Sequence, residues 1–237
     1  MARTKQGLAF TRNTTYYRQP THEFNLPTGH SCPGALTCLT LVDRDSGRRL
    51  ESGSDYVCYA ASGERFPSAR GSRWANWENV KKLVEADELI ELPARATHIR
   101  IHGAGDFYAP RYFDLWAKTA RANPGIHFWA FTKSPHFWVR HLEKFGELPS
   151  NLVLNASRGG KFDFLIDRHG LKCAEVFHSL DDVPAHMPID TDDFWAQMPG
   201  TSFALLENLK NRDQGTDQRI KAHNDRSAEL MAKEASQ

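Results

Sequence analysis

Three cysteines, Cys32, Cys38 and Cys58, fall within the first quarter of the chain, and a fourth, Cys173, stands far downstream. Thiolates are metal ligands, and in a reducing compartment grouped cysteines read more readily as a metal site than as disulfides. Five residues separate Cys32 from Cys38, and nineteen separate Cys38 from Cys58. A structural zinc site usually pairs its ligands two to four residues apart and uses four in all; that pairing is absent here. Three thiolates leave one coordination position open. For zinc this describes a catalytic site, and for a 4Fe–4S cluster it leaves one iron free for an external ligand. The competing reading is a set of isolated core cysteines, since free cysteine is commonly buried. The polar loop Thr28-Gly29-His30-Ser31-Cys32-Pro33-Gly34, which cannot be helix interior, favours a shared metal or cluster.

A second group of chemically able residues sits where strands should end. Gly103-Ala104-Gly105-Asp106 interrupts an apolar alternation, and Asp106 there is suited to a ligand ammonium, a proton or a metal; its bland alternative is a cap on the helix beginning near Ala109. Lys133 follows the next apolar run and suits a phosphate or carboxylate, or a neighbouring acid. Ser157 and Arg158 precede Gly159-Gly160, a cation beside permissive backbone that suits an anion. His102 shares a strand face with Arg100 by alternation, although a lone strand histidine is more often structural. Trp74, Trp77, Phe128, Trp129, Phe131, Phe137 and Trp138 have the spacing of core residues rather than of a base-stacking platform. Asp190, Asp192 and Asp193 read as a solvated acidic turn. Neither a Gly-x-Ser-x-Gly elbow nor a phosphate loop of the Gly-x-x-x-x-Gly-Lys type occurs.

The elements that must position these residues follow from periodicity. Ile99 and Ile101 alternate with Arg100 and His102, which marks a strand; Tyr112, Leu115, Trp116, Thr119 and Ala120 fall at helical spacing; Asn123-Pro124-Gly125 stops the helix; and residues 126–132 form a second strand. Residues 97–132 are thus a βαβ unit, whose strands are parallel and whose C-terminal strand ends carry the chemistry. A first strand is expected at 22–26, a short helical turn at 35–42, a hairpin or excursion at 43–55 and a helix from Arg65 to about Asp87. Ser134-Pro135 opens a further helix reaching Phe145. Strands follow at 151–155, 174–178 and 201–206. Residues 1–20 read as an edge or a loose arm. The alternation gives an α/β fold, a parallel sheet or a partial (β/α) barrel. One domain is expected over residues 1–207, with the cysteine-bearing loop region at 28–62 and a polar C-terminal tail at 208–237.

The chain has 237 residues, 40% of them hydrophobic and 25% charged, with a formal net charge of +1. That balance gives no global case for nucleic acid, although Arg65, Arg70, Arg73, Lys81 and Lys82 form a local basic stretch. No run approaches the eighteen apolar residues of a membrane span, and the basic, polar first residues do not form a signal peptide. A cytoplasmic protein is expected.

Cys32 and Cys38, Cys58-Tyr59-Ala60-Ala61-Ser62, Ser72-Arg73-Trp74, Ile99–His102 with Gly105-Asp106-Phe107, Thr132-Lys133-Ser134 and Ala156–Gly160 together resemble a phage-encoded family known as gene product 88, over roughly residues 22–206. That resemblance places the protein in a host-cell cytoplasm. More distantly, the layout is similar to the radical S-adenosylmethionine (SAM) enzymes, partial (β/α) barrels that hold a 4Fe–4S cluster by three cysteines. The spacing departs from the tight CxxxCxxC loop of those enzymes, and Asp106 and Phe107 stand where they carry Glu and Pro. This resemblance implies that Cys32, Cys38 and Cys58 hold a 4Fe–4S cluster. It further implies that Gly103, Gly105, Asp106, Lys133, Ser157 and Arg158 line a small-molecule pocket for SAM, with an unknown substrate. The alternatives are a non-enzymatic phage accessory protein with a structural or regulatory zinc or Fe–S site, and a nucleic-acid-associated protein.

Overall fold

A computed structural model describes residues 1–50, 58–207 and 213–234. Eight strands form one open sheet in sequential order: β1 (Ala2–Arg3), β2 (Ala9–Asn13), β3 (Thr21–Phe24), β4 (His98–Ile101), β5 (His127–Thr132), β6 (Leu152–Ser157), β7 (Cys173–Phe177) and β8 (Phe203–Leu206). The first three pair antiparallel, and β3 through β8 are all parallel. The fold is therefore α/β with a mostly parallel sheet. Every parallel strand points its C-terminal end at the same edge, which gathers the Gly103–Asp106, Lys133 and Ser157–Arg158 turns.

The helices begin where proline dictates. α1 (Pro67–Ala86), α2 (Pro110–Ala122) and α3 (Pro135–Phe145) each place a proline at the first helical position, where its missing N–H costs nothing. α4 (Phe164–His169) and α5 (Phe194–Gln197) are short, and α6 (Gln214–Glu234) closes the described chain. The main core lies between the sheet and α1–α4, with Phe24, Ile99, Ile101 and Phe128 fully buried against Val80, Trp116 and Phe113. Each large apolar side chain removed from water there contributes about 1.5–3 kcal/mol. The opposite face packs Trp129, Val153, Ala174 and Phe203 against Tyr17 and Ala196.

Several sequence expectations are corrected. Residues 1–20 are not a loose arm: Leu8 and Phe10 are fully buried, and Asn76 of α1 bonds both the N–H and the C=O of Ala9 at 2.7 and 2.9 Å. Residues 35–42 form turns rather than a helix, held by single bridges Ala35–Gly160 and Val42–Arg49. His102 does not share the Arg100 side. Its φ of 67° breaks the alternation and turns its ring among the helix-side aromatics, where Nε2 lies 2.8 Å from the Tyr112 hydroxyl. Asp190 and Asp193 are buried rather than solvated: Asp190 accepts N–H bonds from Asp192, Phe194 and Ala196, and Asp193 pairs with Arg100. The polar tail docks through α6, where Ile220 packs on Ile189 and Ala204 and Asn224 bonds Ile189 at both its N–H and C=O. Parts of the 43–55 excursion and of the tail lie outside the described residues. No helix among the described residues is long and apolar enough to cross a membrane.

Candidate functional site

Residues 25–50, which follow β3, run across the C-terminal edge of the sheet and carry Cys32 and Cys38; Cys58 lies at the start of the stretch 58–66 that leads into α1, and the two stretches together form the crossing. It is clasped to three strand ends in turn. At β4, Leu26 donates to the Ala104 carbonyl at 2.9 Å, and the Asp106 N–H reaches the Ser31 hydroxyl at 3.3 Å. Gly105, at φ 86°, has no room for a side chain: a Cβ there would lie 2.6 Å from Ser31 Oγ. At β5 the approach is closer still, because a Cβ on Gly34 would lie 1.8 Å from the Lys133 carbonyl oxygen. At β6, Lys161 donates to the Gly34 carbonyl at 2.9 Å, and the Thr37 hydroxyl donates to the Gly159 carbonyl at 3.2 Å.

From the other side α1 holds the same crossing. Arg73 donates to the Ala60 carbonyl at 2.9 Å, to Thr28 Oγ1 at 3.3 Å and to Glu64 at 3.1 Å, and Glu64 accepts the Thr28 N–H at 2.6 Å. Arg70 donates to the carbonyls of Glu64, Arg44 and Asp45 at 2.6, 2.8 and 2.9 Å. Arg70 and Arg73, expected on a basic surface, are instead turned inward as staples, which leaves Arg65, Lys81 and Lys82 of that stretch. The Cys58 N–H is fixed by Thr40 Oγ1 at 3.1 Å, and the Cys32 N–H by the Gly29 carbonyl at 3.1 Å.

The thiol of Cys58 influences the other two. Burial pushes the pKa of each upward; Cys58 adds to the rise at both Cys32 and Cys38, and Asp106 does likewise. Lys133 opposes the rise at Cys38 and Cys58, as Arg73 does at Cys58. As protonated thiols they are weak nucleophiles, and they become thiolates when a metal takes the proton's place. Among the described residues, no three His, Cys, Asp or Glu side chains converge on a single ion. One zinc would require its sulfurs roughly 3.8 Å apart, from a Zn–S bond of about 2.3 Å. A multi-iron cluster spans wider-set sulfurs, each on a different iron, and the soft three-thiol donor set suits iron–sulfur ligation. Cys173 belongs to the helix-side core at the start of β7, beside Arg158.

The other sequence candidates reach this edge in different ways. Asp106 is buried, and its carboxylate accepts from the Thr132 hydroxyl at 2.6 Å, the Phe107 N–H at 2.7 Å and the Lys133 N–H at 2.8 Å. Burial outweighs those bonds and raises its pKa to about 6. It braces the β4 turn to the β5 turn and does not cap α2, which starts from Ala109. Lys133 reaches across to β6, where its ammonium meets the Ser157 carbonyl and hydroxyl at 3.3 and 3.2 Å and the Arg158 carbonyl. Ser157 thus lies at the site. The Arg158 guanidinium turns to Asp167 at 2.5 Å and Glu175 at 3.7 Å, and only its backbone serves Lys133. Gly103 accepts a 3.2 Å bond from the hydroxyl of Tyr59, whose ring is 64% exposed. Ser134 makes no cap bond to α3, and its hydroxyl stands 3.5 Å from Asp106 instead.

Sequence reasoning placed Thr132 at the strand end beside Lys133 but did not single out Ser31, Glu64 or Tyr59. A carboxylate three residues ahead of a proline-initiated helix and two arginines at i and i+3 within it were the available signal for the staple. A further network, also unforeseen, lies on the opposite face of the sheet. Arg100 pairs with Asp193 at 3.1 Å and donates to Tyr17 OH at 2.9 Å, Tyr17 donates to Glu23 at 2.8 Å, and Trp129 Nε1 donates to Asp193 at 2.9 Å.

Comparison with known proteins is consistent across most of the chain. The family model described as Gene product 88 matches residues 2–227. The Gene 88 protein of Mycobacterium phage L5 is 31% identical over 91 residues, a stretch covering 32% of this chain and 38% of that relative's own length. No solved structure matches the chain.

Proposed function

The chain belongs to the Gene product 88 family, and from that premise we propose that it is an iron–sulfur protein. In this reading Cys32, Cys38 and Cys58 hold a 4Fe–4S cluster over the C-terminal edge of the sheet and leave one iron open to a small molecule. The observation that carries the reading is that the residues bearing Cys32 and Cys38 are fastened to the ends of β4, β5 and β6, and that the Cys58 N–H is tied to the same stretch through Thr40. The charge of Cys58 felt at both Cys32 and Cys38, and that of Lys133 felt at Cys38 and Cys58, support a shared centre rather than three separate core cysteines.

We further propose S-adenosylmethionine as the small molecule. Support comes from the sequential order of the parallel strands, with the cysteine crossing after the first and the glycine turn after the second, which is the layout implied by the radical SAM resemblance. Bound there, a cluster with one open iron supplies one-electron chemistry to such a ligand. The chain's own contribution is positional. Asp106 locks the Gly103–Asp106 turn to Thr132 and Lys133, Lys133 locks β5 to β6, and Tyr59 stands over the Gly103 carbonyl.

Anaerobic purification followed by iron, sulfide and zinc analysis with an optical spectrum tests the cluster. A brown protein with about four irons per chain is expected; a colourless protein holding one zinc overturns it. Release of deoxyadenosine from S-adenosylmethionine under strong reductant tests the enzymatic half separately. Its absence across a range of substrates leaves a metal-bearing accessory protein.

A further inference from the structure

Lys133 forms no ion pair among the described residues, although its charge is felt at Asp106. Its ammonium is held by neutral oxygens alone, the carbonyl and hydroxyl of Ser157 and the carbonyl of Arg158. The neighbouring carboxylates are committed elsewhere. Asp106 takes the backbone amide of Lys133 rather than its ammonium, Asp163 accepts the amides of Gly159 and Gly160 at 2.8 and 2.9 Å, and Asp167 and Glu175 pair with Arg158. Among the described residues no carboxylate forms an ion pair with it. On its other side is the cysteine crossing: a Cβ on Gly159 would lie 3.4 Å from Lys133 Nζ and 3.0 Å from Thr37 Oγ1, so the ammonium and the residue before Cys38 flank one glycine. Its charge is also felt at Cys38 and Cys58.

A half-buried ammonium loses hydration, and carbonyl dipoles return only part of it. Three thiolates around a metal core would leave a net anion within reach of the Lys133 charge, which is felt at Cys38 and Cys58 as well as at Asp106. We propose that Lys133 is the built-in counter-charge of the metal–thiolate centre and holds its reduction potential up. The proposal rests on the cluster reading above. Reduction adds an electron to an already anionic centre, and a fixed cation nearby stabilises the more negative state. Lys133 is a positioning and tuning residue here, not a catalytic one.

The test is the midpoint potential of the full-length, cluster-loaded protein, followed by electron paramagnetic resonance during redox titration, for wild type, Lys133→Gln, Lys133→Met and Lys133→Arg. Lys133→Gln and Lys133→Met are expected to lower the ratio of reduced to oxidised cluster at fixed potential about tenfold, about 59 mV for one electron. Lys133→Arg is expected to stay near wild type, which a purely structural role would not predict. Should Lys133→Gln and Lys133→Met fail to load, Ser157→Ala removes one anchor and leaves the charge. A smaller shift of the same sign then supports the proposal, and no shift contradicts it. Loaded Lys133→Gln with the wild-type potential overturns this proposal alone. Wild type that takes up no iron overturns the cluster reading and this proposal with it.

Discussion

Two polar networks lie on this sheet, and they differ in how their charges are paired. The one on the face away from α1–α4 pairs its charges internally: Arg100 meets Asp193, Trp129 adds a donor to the same carboxylate, and Tyr17 links Arg100 to Glu23. The one at the C-terminal edge does not. Asp106 is satisfied by neutral donors, Lys133 is held by neutral oxygens and forms no ion pair among the described residues, and burial pushes the three thiol pKa values up. An internally paired network is the signature of structure, because buried charges persist when they are paired. The edge network, clasped in place at close approach, is where the proposed centre would sit.

The contrast can be broken most forcefully in the internally paired network. Arg100→Ala would leave Asp193 buried and charged without its cation, at a cost of about 3–5 kcal/mol in denaturant unfolding. Arg100→Met with Asp193→Asn should recover much of that loss, since both charges are then gone. Failure of the double variant to recover would mean that the pair serves more than the fold.

At the C-terminal edge the expected losses are smaller and, on the proposed cluster, extend to iron content. Gly34→Ala sets a methyl group against the Lys133 carbonyl; about 1–3 kcal/mol of overpacking strain and release of the crossing from β5 should follow, read as lower stability and lower iron content. Asp106→Asn should change the pH dependence. The native carboxyl titrates near 6 against 3.8 in the unfolded chain, so between those values the folded state holds a proton that the unfolded state has lost. Wild-type stability from this group is therefore full below pH 3.8 and falls as pH rises through 6, by about 3 kcal/mol. The variant lacks that fall, so its stability relative to wild type should improve from pH 4 to pH 6; a flat difference would contradict the assigned burial effect. His102 acts in the opposite sense, its pKa lowered to about 3 by burial, and it drops out of this difference because both proteins carry it. Arg158→Met is the mildest case. Its ion pair with the exposed Asp167 is screened by solvent, so unfolding stability should change little and iron content should not change.

What was legible in the sequence was what local periodicity dictates. The βαβ unit at 97–132, the proline-led helices and the later strands appear where expected because alternation and N1 prolines act on neighbouring residues. The gathering of Gly103–Asp106, Lys133 and Ser157 at one edge followed from parallel pairing. Tertiary contacts were hidden. β1 and β2 have polar sequences and exist because Asn76, sixty-seven residues away, bonds Ala9. His102 left its strand face through one positive φ, which a short apolar pattern does not encode. Asp190 and Asp193 read as a surface turn because the Arg100 partner and the amides they cap are remote in sequence or specific to the folded turn. Arg70 and Arg73 likewise looked like surface charge until the crossing segment folded against α1.

The most direct measurement is iron and acid-labile sulfide per chain after anaerobic preparation of wild type and of four single variants, Cys32→Ala, Cys38→Ala, Cys58→Ala and Cys173→Ala. The three cysteines of the crossing are expected to be individually indispensable, with wild type and Cys173→Ala holding about four irons each. Iron retained by Cys58→Ala, or a wild type that binds none, would contradict a shared centre at the C-terminal edge.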